Sequence, residues 1–493
     1  MKQPNIVFII TDQQRYDTIN AHGYGHMITP NMDRLANEGV SFTSAFAPGA
    51  TCVASRAAIF TGMYPHNTGV YSFNRWAHQN TWVTDLADNG YHCVNIGKMH
   101  CDPIFAQNGF HERWVAENKC QDFEKFGLAE DDWGKFLIGN GLKRPLNRAE
   151  MYSDWDKKLN AVPWEYEERY HVDSFVGDTA VKWLNNWDQR KSLFLEIGFP
   201  GPHEPYDPPQ RFIDMYEDAD IPEHKFSDDE FSKKPKQQRT LQQWFKNTPH
   251  NAVINYEDAD AEDVKKMRKH YCANITLIDE KIGQLLESLE TNGMLENTVL
   301  IFTSDHGDSL GDHKLPYKWL MYDPMNRVPF MIKDFRKPNK TDGKKIDDLV
   351  SLIDIGPTIL NYTKTETPVY LEGRPLNDYV EKGSIEAPCQ YVFCEDNYLM
   401  MIRSKTHKMV YYIDQEYGEL YDLTQDPHEL SNLWDDEKYK MLKMELKCRA
   451  LDWIAKSCYF NGGYKQTKSR DYKIRWPEKD GFGLYLQGRP DMV

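Results

Sequence analysis

No apolar run in this sequence approaches the ~18 residues that a bilayer-spanning helix needs, so no membrane-spanning helix is expected. A basic excess is missing too: over 493 residues the formal charge is −16. Nucleic-acid binders carry the opposite footprint, so the acidic balance argues against that class of partner. It leaves an anionic small substrate open, because a local cluster of lysine, arginine and metal overrides a global field. The nine cysteines are odd in number and contain no Cys-x-x-Cys pair. That removes a disulfide framework and a thiolate zinc site, and most of them read as small buried hydrophobes. No apolar leader stands ahead of the first strand at Ile6–Ile10. The expectation is a cytoplasmic location, or a periplasmic or secreted one if a leader has been trimmed. Internal repeats and low-complexity tracts are also lacking, and self-association into a homo-oligomer is left open.

What is present is a packed α/β pattern. Hydrophobic residues make up 40% of the chain and aromatics 13%, enough for a core and too much for disorder. Short β-rich runs at Asn5–Thr11, Tyr91–Gly97, Leu193–Phe199 and Val299–Ser304 alternate with helical spacing. The helices are expected from Thr29-Pro30 to Gly39, through Phe175, Thr179, Trp183 and Trp187, and over Ala261–Asn292, stopped by Gly293. Alternation of this kind predicts a large, mainly parallel mixed sheet sandwiched by helices. Four polar groups follow strand ends, Asp12, Lys98, His203 and Asp305. Open α/β sheets bind ligands beyond the carboxyl ends of their strands, so these residues are expected at one edge. After about residue 380 the pattern shortens. Lys382-Gly383-Ser384 reads as a linker, and Tyr391–Glu395, Leu399–Arg403, Lys408–Ile413 and Glu419–Leu423 read as a small antiparallel sheet, with a helix from about Asp435 to Ser457 packed on it. The expected division is a catalytic domain over residues 1–380 and a C-terminal subdomain over 381–493. The stretch Glu217–Lys236 reads as a solvated loop. The aromatic segment from Trp133 to Tyr170 reads as packing or as a substrate wall.

Cys52 lies between a Pro48-Gly49 turn and an apolar helical run closing on Thr61-Gly62. Its side chain therefore stands at a helix N-terminus, where negative charge is favoured. Arg56 lies one turn later on the same face, where it can meet an alkoxide or an oxyanion. Asp12-Gln13 and Asp305-His306 close two strands with oxygen donors suited to a hard cation. Lys98 and His100 are placed on one side by the strand period. His203 sits in a proline-bounded loop, Pro202-His203-Glu204-Pro205.

Together, Cys52-Val53-Ala54-Ser55-Arg56, Gly97-Lys98-Met99-His100, Asp305-His306-Gly307-Asp308 and Lys318 eleven residues before Pro329 resemble the type I sulfatases of the alkaline phosphatase superfamily. The resemblance runs from Asn5 to about Leu433. It implies that Cys52 is oxidised after translation to formylglycine, whose hydrate is the nucleophile. It also implies a maturation enzyme as a partner and hydrolysis of a sulfate monoester of a carbohydrate or other small molecule. The divalent metal is held by Asp12, Gln13, Asp305, His306 and the modified Cys52, with Ca²⁺ first and Mn²⁺ or Zn²⁺ as alternatives. Arg56, Lys98, His100 and Lys318 surround the sulfate, and His203 gives a proton to the leaving oxygen. Lys314 lacks the family spacing and is set aside; nothing in the sequence requires His22 at the site. The family usually has proline where Ala54 stands, and alanine there suits the oxygen-independent maturation of anaerobic bacteria, which implies such a source. Two other readings share these motifs: a phosphonate monoester or phosphodiester hydrolase, and an inactive anion- or glycan-binding homologue with an unmodified thiol.

Overall fold

A computed structural model describes residues 3–461 apart from 72–75, 77–78, 121, 125–128, 147–151, 153–158, 228, 248–255 and 257–258. The end of the expected C-terminal subdomain, beyond Asn461, thus lies outside the described residues. No described helix is long and apolar enough to cross a membrane.

The strand Asn5–Asp12 is buried at every position and lies near the middle of an eight-stranded sheet. It pairs in parallel with Leu193–Pro202 on one side and Thr298–Ser304 on the other. His92–Gly97 and then Glu112–Val115 extend the sheet in parallel to one edge. Beyond Thr298–Ser304 comes Phe330–Asp334, antiparallel to both neighbours, then Val40–Phe42 and Lys345–Ile346. The sheet is mixed and mainly parallel, as the sequence predicts. Alternation along the central strand feeds two cores. Val7 and Ile9 pack with the long helix Ala261–Thr291, whereas Ile6, Phe8 and Ile10 pack with Ile59, Phe60 and Trp82. The long helix starts at a reciprocal capping box between Asp260 and Asp263, which satisfies two otherwise orphaned N–H groups.

The small sheet consists of Val392–Asp396, Leu399–Arg403, His407–Tyr412 and Gly418–Asp422, antiparallel throughout. It is apolar on both faces. Met401, Val410 and Tyr421 meet Leu315, Tyr322 and Met325 of the large unit, and Ile402, Met409 and Leu420 meet Leu446 and Ala450. The latter residues belong to the helix Lys440–Asn461, which starts later and runs further than expected. Its end is latched to the large unit. His66 Nδ1 lies 2.7 Å from Glu395 and its Nε2 lies 2.6 Å from Ser457 Oγ, which also accepts from Asn67 Nδ2 at 2.6 Å.

Two expectations change, and a third narrows to one of its two readings. Residues 382–384 are no open linker, because Asn377–Lys382 is a helix and Gly383 caps it in the left-handed region. The stretch Glu217–Lys236 is not simply solvated. Glu230 is buried against His313, and Lys234 donates to the Tyr421 hydroxyl (2.7 Å) and the Glu429 carbonyl (2.6 Å). This segment therefore bridges the two units. The described part of the aromatic segment is packing, since Trp133, Leu137, Trp164 and Tyr170 all belong to a buried core.

Candidate active site

The helix Cys52–Thr61 is buried along its whole length. The chain reaches it by crossing its own first turn at Gly49, where a Cβ would stand 2.7 Å from the Ser55 nitrogen; glycine is required there. Thr51 precedes the helix in extended conformation without a side-chain cap. The first-turn N–H groups therefore keep their partial positive charge beside Cys52. Cys52 itself is 1% exposed.

Asp12 ends the central strand. One of its oxygens takes the Lys98 ammonium, which also meets Asn118 Oδ1. Its other oxygen is buried and without a hydrogen bond. Burial alone would raise this carboxyl, but Lys98, His203, Lys318 and Arg56 outweigh burial and hold it well below the ordinary carboxylate range. Asp305 ends the neighbouring strand, and its Oδ1 accepts from the backbone N–H groups of Gln13 (3.0 Å) and His306 (2.8 Å). His306 Nδ1 lies 2.8 Å from the Gly307 carbonyl. A hydrogen on Nδ1 leaves Nε2 with a lone pair, and this buried atom has no partner. It lies 3.6 Å from Asp12 Oδ1 and 3.7 Å from Asp305 Oδ1. Ligand atoms of Asp12, Cys52 and His306 all fall within 4.8 Å of one another. Two orphaned buried donors converging on one point fit a divalent cation, because otherwise each would go without compensation for its lost water. The His306 contact to a carbonyl is the kind of outer support that metal-binding histidines use.

Gln13 and Arg56 carry hydrogen bonds that the sequence does not show. Gln13 has φ 70°, and its amide bonds at both ends. Oε1 accepts from Lys318 Nζ at 2.7 Å, while Nε2 donates to Glu204 at 2.9 Å and to Asp308 at 2.6 Å. Flipping the amide would break all three bonds, so its orientation is fixed. Arg56 lies beneath the cluster. Its Nε donates to Asp305 Oδ2 at 2.7 Å, Nη1 to the Lys98 carbonyl at 2.5 Å and Nη2 to the Thr11 carbonyl at 3.5 Å. Burial lowers its pKa, yet Asp305 and Asp12 more than reverse this. In this geometry it ties strand ends together.

Lys318 is buried, and although burial disfavours its charge, Cys52, Asp12, Glu204 and Asp305 raise its pKa above the usual lysine value. It is thus a fixed cation beside Cys52. His100 lies past the end of its strand in the left-handed region, φ 58°, so the strand period does not place it. Its N–H donates to Glu117 at 3.0 Å, and its Nδ1 is buried without a partner. Burial and then Lys98 depress its pKa to about 3, which keeps the ring neutral. His203 Nδ1 lies 2.8 Å from the Glu204 carbonyl, which turns Nε2 away from that contact. Burial and Lys318 push the His203 pKa well down, against the opposing pull of Asp12. Lys314 stands over the Phe226 ring, 4.2 Å from its centre, and His22 bonds Ser41 at 2.9 Å; neither contact belongs to the cluster.

Sequence reading missed Asn118, Glu204 and Asp308. Two lay inside quoted motifs, but as neighbours of the named histidines rather than as partners of Gln13. Burial raises Glu204 to about 7, against the opposing pull of Lys318.

The residues that converge here span the region recognised by the sulfatase family model, which matches residues 4–365. The chain belongs to the sulfatase family. It is an enzyme of that class. A second model, described as the C-terminal part of N-sulphoglucosamine sulphohydrolase, matches residues 311–456. An arylsulfatase of Clostridium perfringens is 32% identical over 465 residues, covering 89% of this chain and 92% of its own. Two solved structures share the fold. A phosphonate monoester hydrolase of Agrobacterium radiobacter has TM-score 0.76 at 24% identity, covering 92% of this sulfatase and 96% of that chain. A protein in complex with its substrate D-glucosamine-2-N,6-O-disulfate has TM-score 0.72 at 22% identity, covering 94% and 100%.

Proposed function

We propose that this sulfatase hydrolyses a sulfate monoester of a carbohydrate or other small molecule, with Cys52 oxidised to formylglycine. The observation that carries the reading is the meeting of Cys52, at an uncapped helix N-terminus, with the orphaned Asp12 Oδ1 and His306 Nε2. Once modified, Cys52 would supply a hydrate hydroxyl for attack on sulfur. A divalent cation held by Asp12, Gln13, Asp305, His306 and residue 52 would supply Lewis-acid charge, and its largely oxygen ligand set favours Ca²⁺, with Mn²⁺ or Zn²⁺ as alternatives given the histidine.

The chain's own side chains do the rest. Lys98, Lys318 and the helix N-terminus hold the nonbridging oxygens where negative charge sits. Gln13 holds Lys318 in place by its amide oxygen, and Glu204 and Asp308 hold Gln13. Arg56 ties Asp305 to the carbonyl of Lys98, fixing two strand ends relative to one another. His203 gives a proton to the bridging oxygen as the alcohol leaves. An anionic ester beside it raises the affinity of its ring for that proton, offsetting the influence of Lys318. Because Cys52 is 1% exposed, its maturation enzyme reaches it before the chain folds.

Turnover of an aryl sulfate, a phenyl phosphonate monoester and a phosphodiester by the mature enzyme tests the reaction class. Sulfate release with the highest kcat/KM is expected. Preference for the phosphonate or the diester would move the chain to the hydrolases that share its fold, and no turnover of any of them would favour a binding protein. Dialysis against a chelator should abolish activity and lower the melting temperature, with loss of about 3–4 kcal/mol if the ion is held at 100 to 1,000 times its Kd. Adding Ca²⁺ or Mn²⁺ back should restore both; an unchanged melting temperature contradicts a bound ion.

A further inference from the structure

Beside the site runs a groove of about 590 Å³. Its walls come from Gln237 and Trp244 on the helix Lys236–Asn247, from Trp319, and from Asn397 and Tyr398 at the first hairpin turn of the small sheet. Trp319 links the groove to the site. Lys318 Nζ lies 6.0 Å from the centre of the Trp319 ring, and the Trp319 backbone N–H donates at 3.2 Å to the carbonyl of Ala50, two residues ahead of Cys52.

The aromatic residues here are arranged at a cost to the fold. Trp319 has φ 79° and Tyr398 has φ 61°, a region that bulky side chains avoid unless something outside local preference selects them. Tyr398 is 77% exposed and Trp244 50% exposed, so both rings present apolar surface to the groove. Gln237 Nε2 is tied to the Tyr417 hydroxyl, while its Oε1 is buried and accepts no hydrogen bond. Exposed flat rings with amide groups at their edges match a pyranose. Its C–H face lies on an aromatic ring, and its hydroxyls donate to and accept from the amides.

We propose that this groove holds the sugar ring of a carbohydrate sulfate ester, with Trp244, Trp319 and Tyr398 selecting the alcohol part of the substrate. The proposal rests on the sulfatase reading above and adds the class of alcohol and the residues that recognise it.

The test compares W244A and Y398A with wild-type mature enzyme on 4-nitrophenyl sulfate and on 4- and 6-sulfated hexosamine and galactose mono- and disaccharides. The activated aryl ester demands little of the groove. Each substitution should lower kcat/KM on the cleaved sugar sulfate by at least about tenfold, mainly through KM, and change aryl sulfate turnover by less than about threefold. Both side chains are solvent-exposed, and melting curves check that the variants fold. Equal losses on both substrate types, or none on the sugar, overturn the groove and leave the sulfatase standing. So does a wild type that cleaves the aryl sulfate and no sugar sulfate. A wild type that cleaves no sulfate ester at all overturns the sulfatase reading itself.

Discussion

Replacing Cys52 by alanine is expected to reduce sulfate ester hydrolysis to background, a loss of at least ~10⁴-fold, while the protein folds as before. The two halves of this expectation have separate causes. The loss follows because no other side chain at the site can replace the nucleophile; Lys98, Lys318 and Arg56 are engaged cations. The retained fold follows because Cys52 contributes only a small buried side chain at the start of a helix whose other residues are buried too. Purified C52A protein should melt within a few degrees of wild type. Undiminished turnover by C52A would remove the covalent mechanism, and a collapsed fold would show that the residue is structural.

Replacing Arg56 by methionine should act in the opposite order, on the fold first. Arg56 and Asp305 are both fully buried and joined at 2.7 Å. Removing the guanidinium leaves the Asp305 carboxylate without its counter-charge, and breaking one side of such a pair costs about 3–5 kcal/mol. The carbonyl of Lys98 loses its partner at the same time. The variant is therefore expected to melt markedly lower than C52A and to be rescued only poorly by R56K, which cannot span the same acceptors. Urea unfolding followed by fluorescence measures the difference. An R56M protein as stable as wild type, inactive only through weaker substrate binding, would place Arg56 facing the substrate after all.

Much of this site was legible because it is built on strand ends. Asn5–Asp12 and Thr298–Ser304 are uninterrupted apolar runs followed by acids, and a buried parallel strand has few other ways to look. Their parallel pairing brings Asp12 beside Asp305 without further information. The helix after Cys52 was readable from Pro48-Gly49 before it and Thr61-Gly62 after it. The short strand Phe330–Asp334 was not, because it follows Pro329 directly and inserts antiparallel beside Thr298–Ser304. Nor was the engagement of Gln13. Its three partners, Glu204, Asp308 and Lys318, lie on distant segments, and side-chain hydrogen bonds between loops leave no periodic mark in a sequence. His100 shows the same limit. It joins the site through a left-handed turn, whereas the strand ahead of it ends at Gly97. Lys234 and Glu230, in a stretch that reads as solvated, are buried because Tyr421 of the small sheet and Glu429 of the loop after it cover Lys234, and His313 covers Glu230.

The identity of the side chain at position 52 in protein from the native host decides the account most directly. Mass spectrometry of the peptide spanning residues 52–56 should show loss of the sulfur atom and gain of an aldehyde in the active protein. A fully intact thiol in protein that hydrolyses sulfate esters would contradict it.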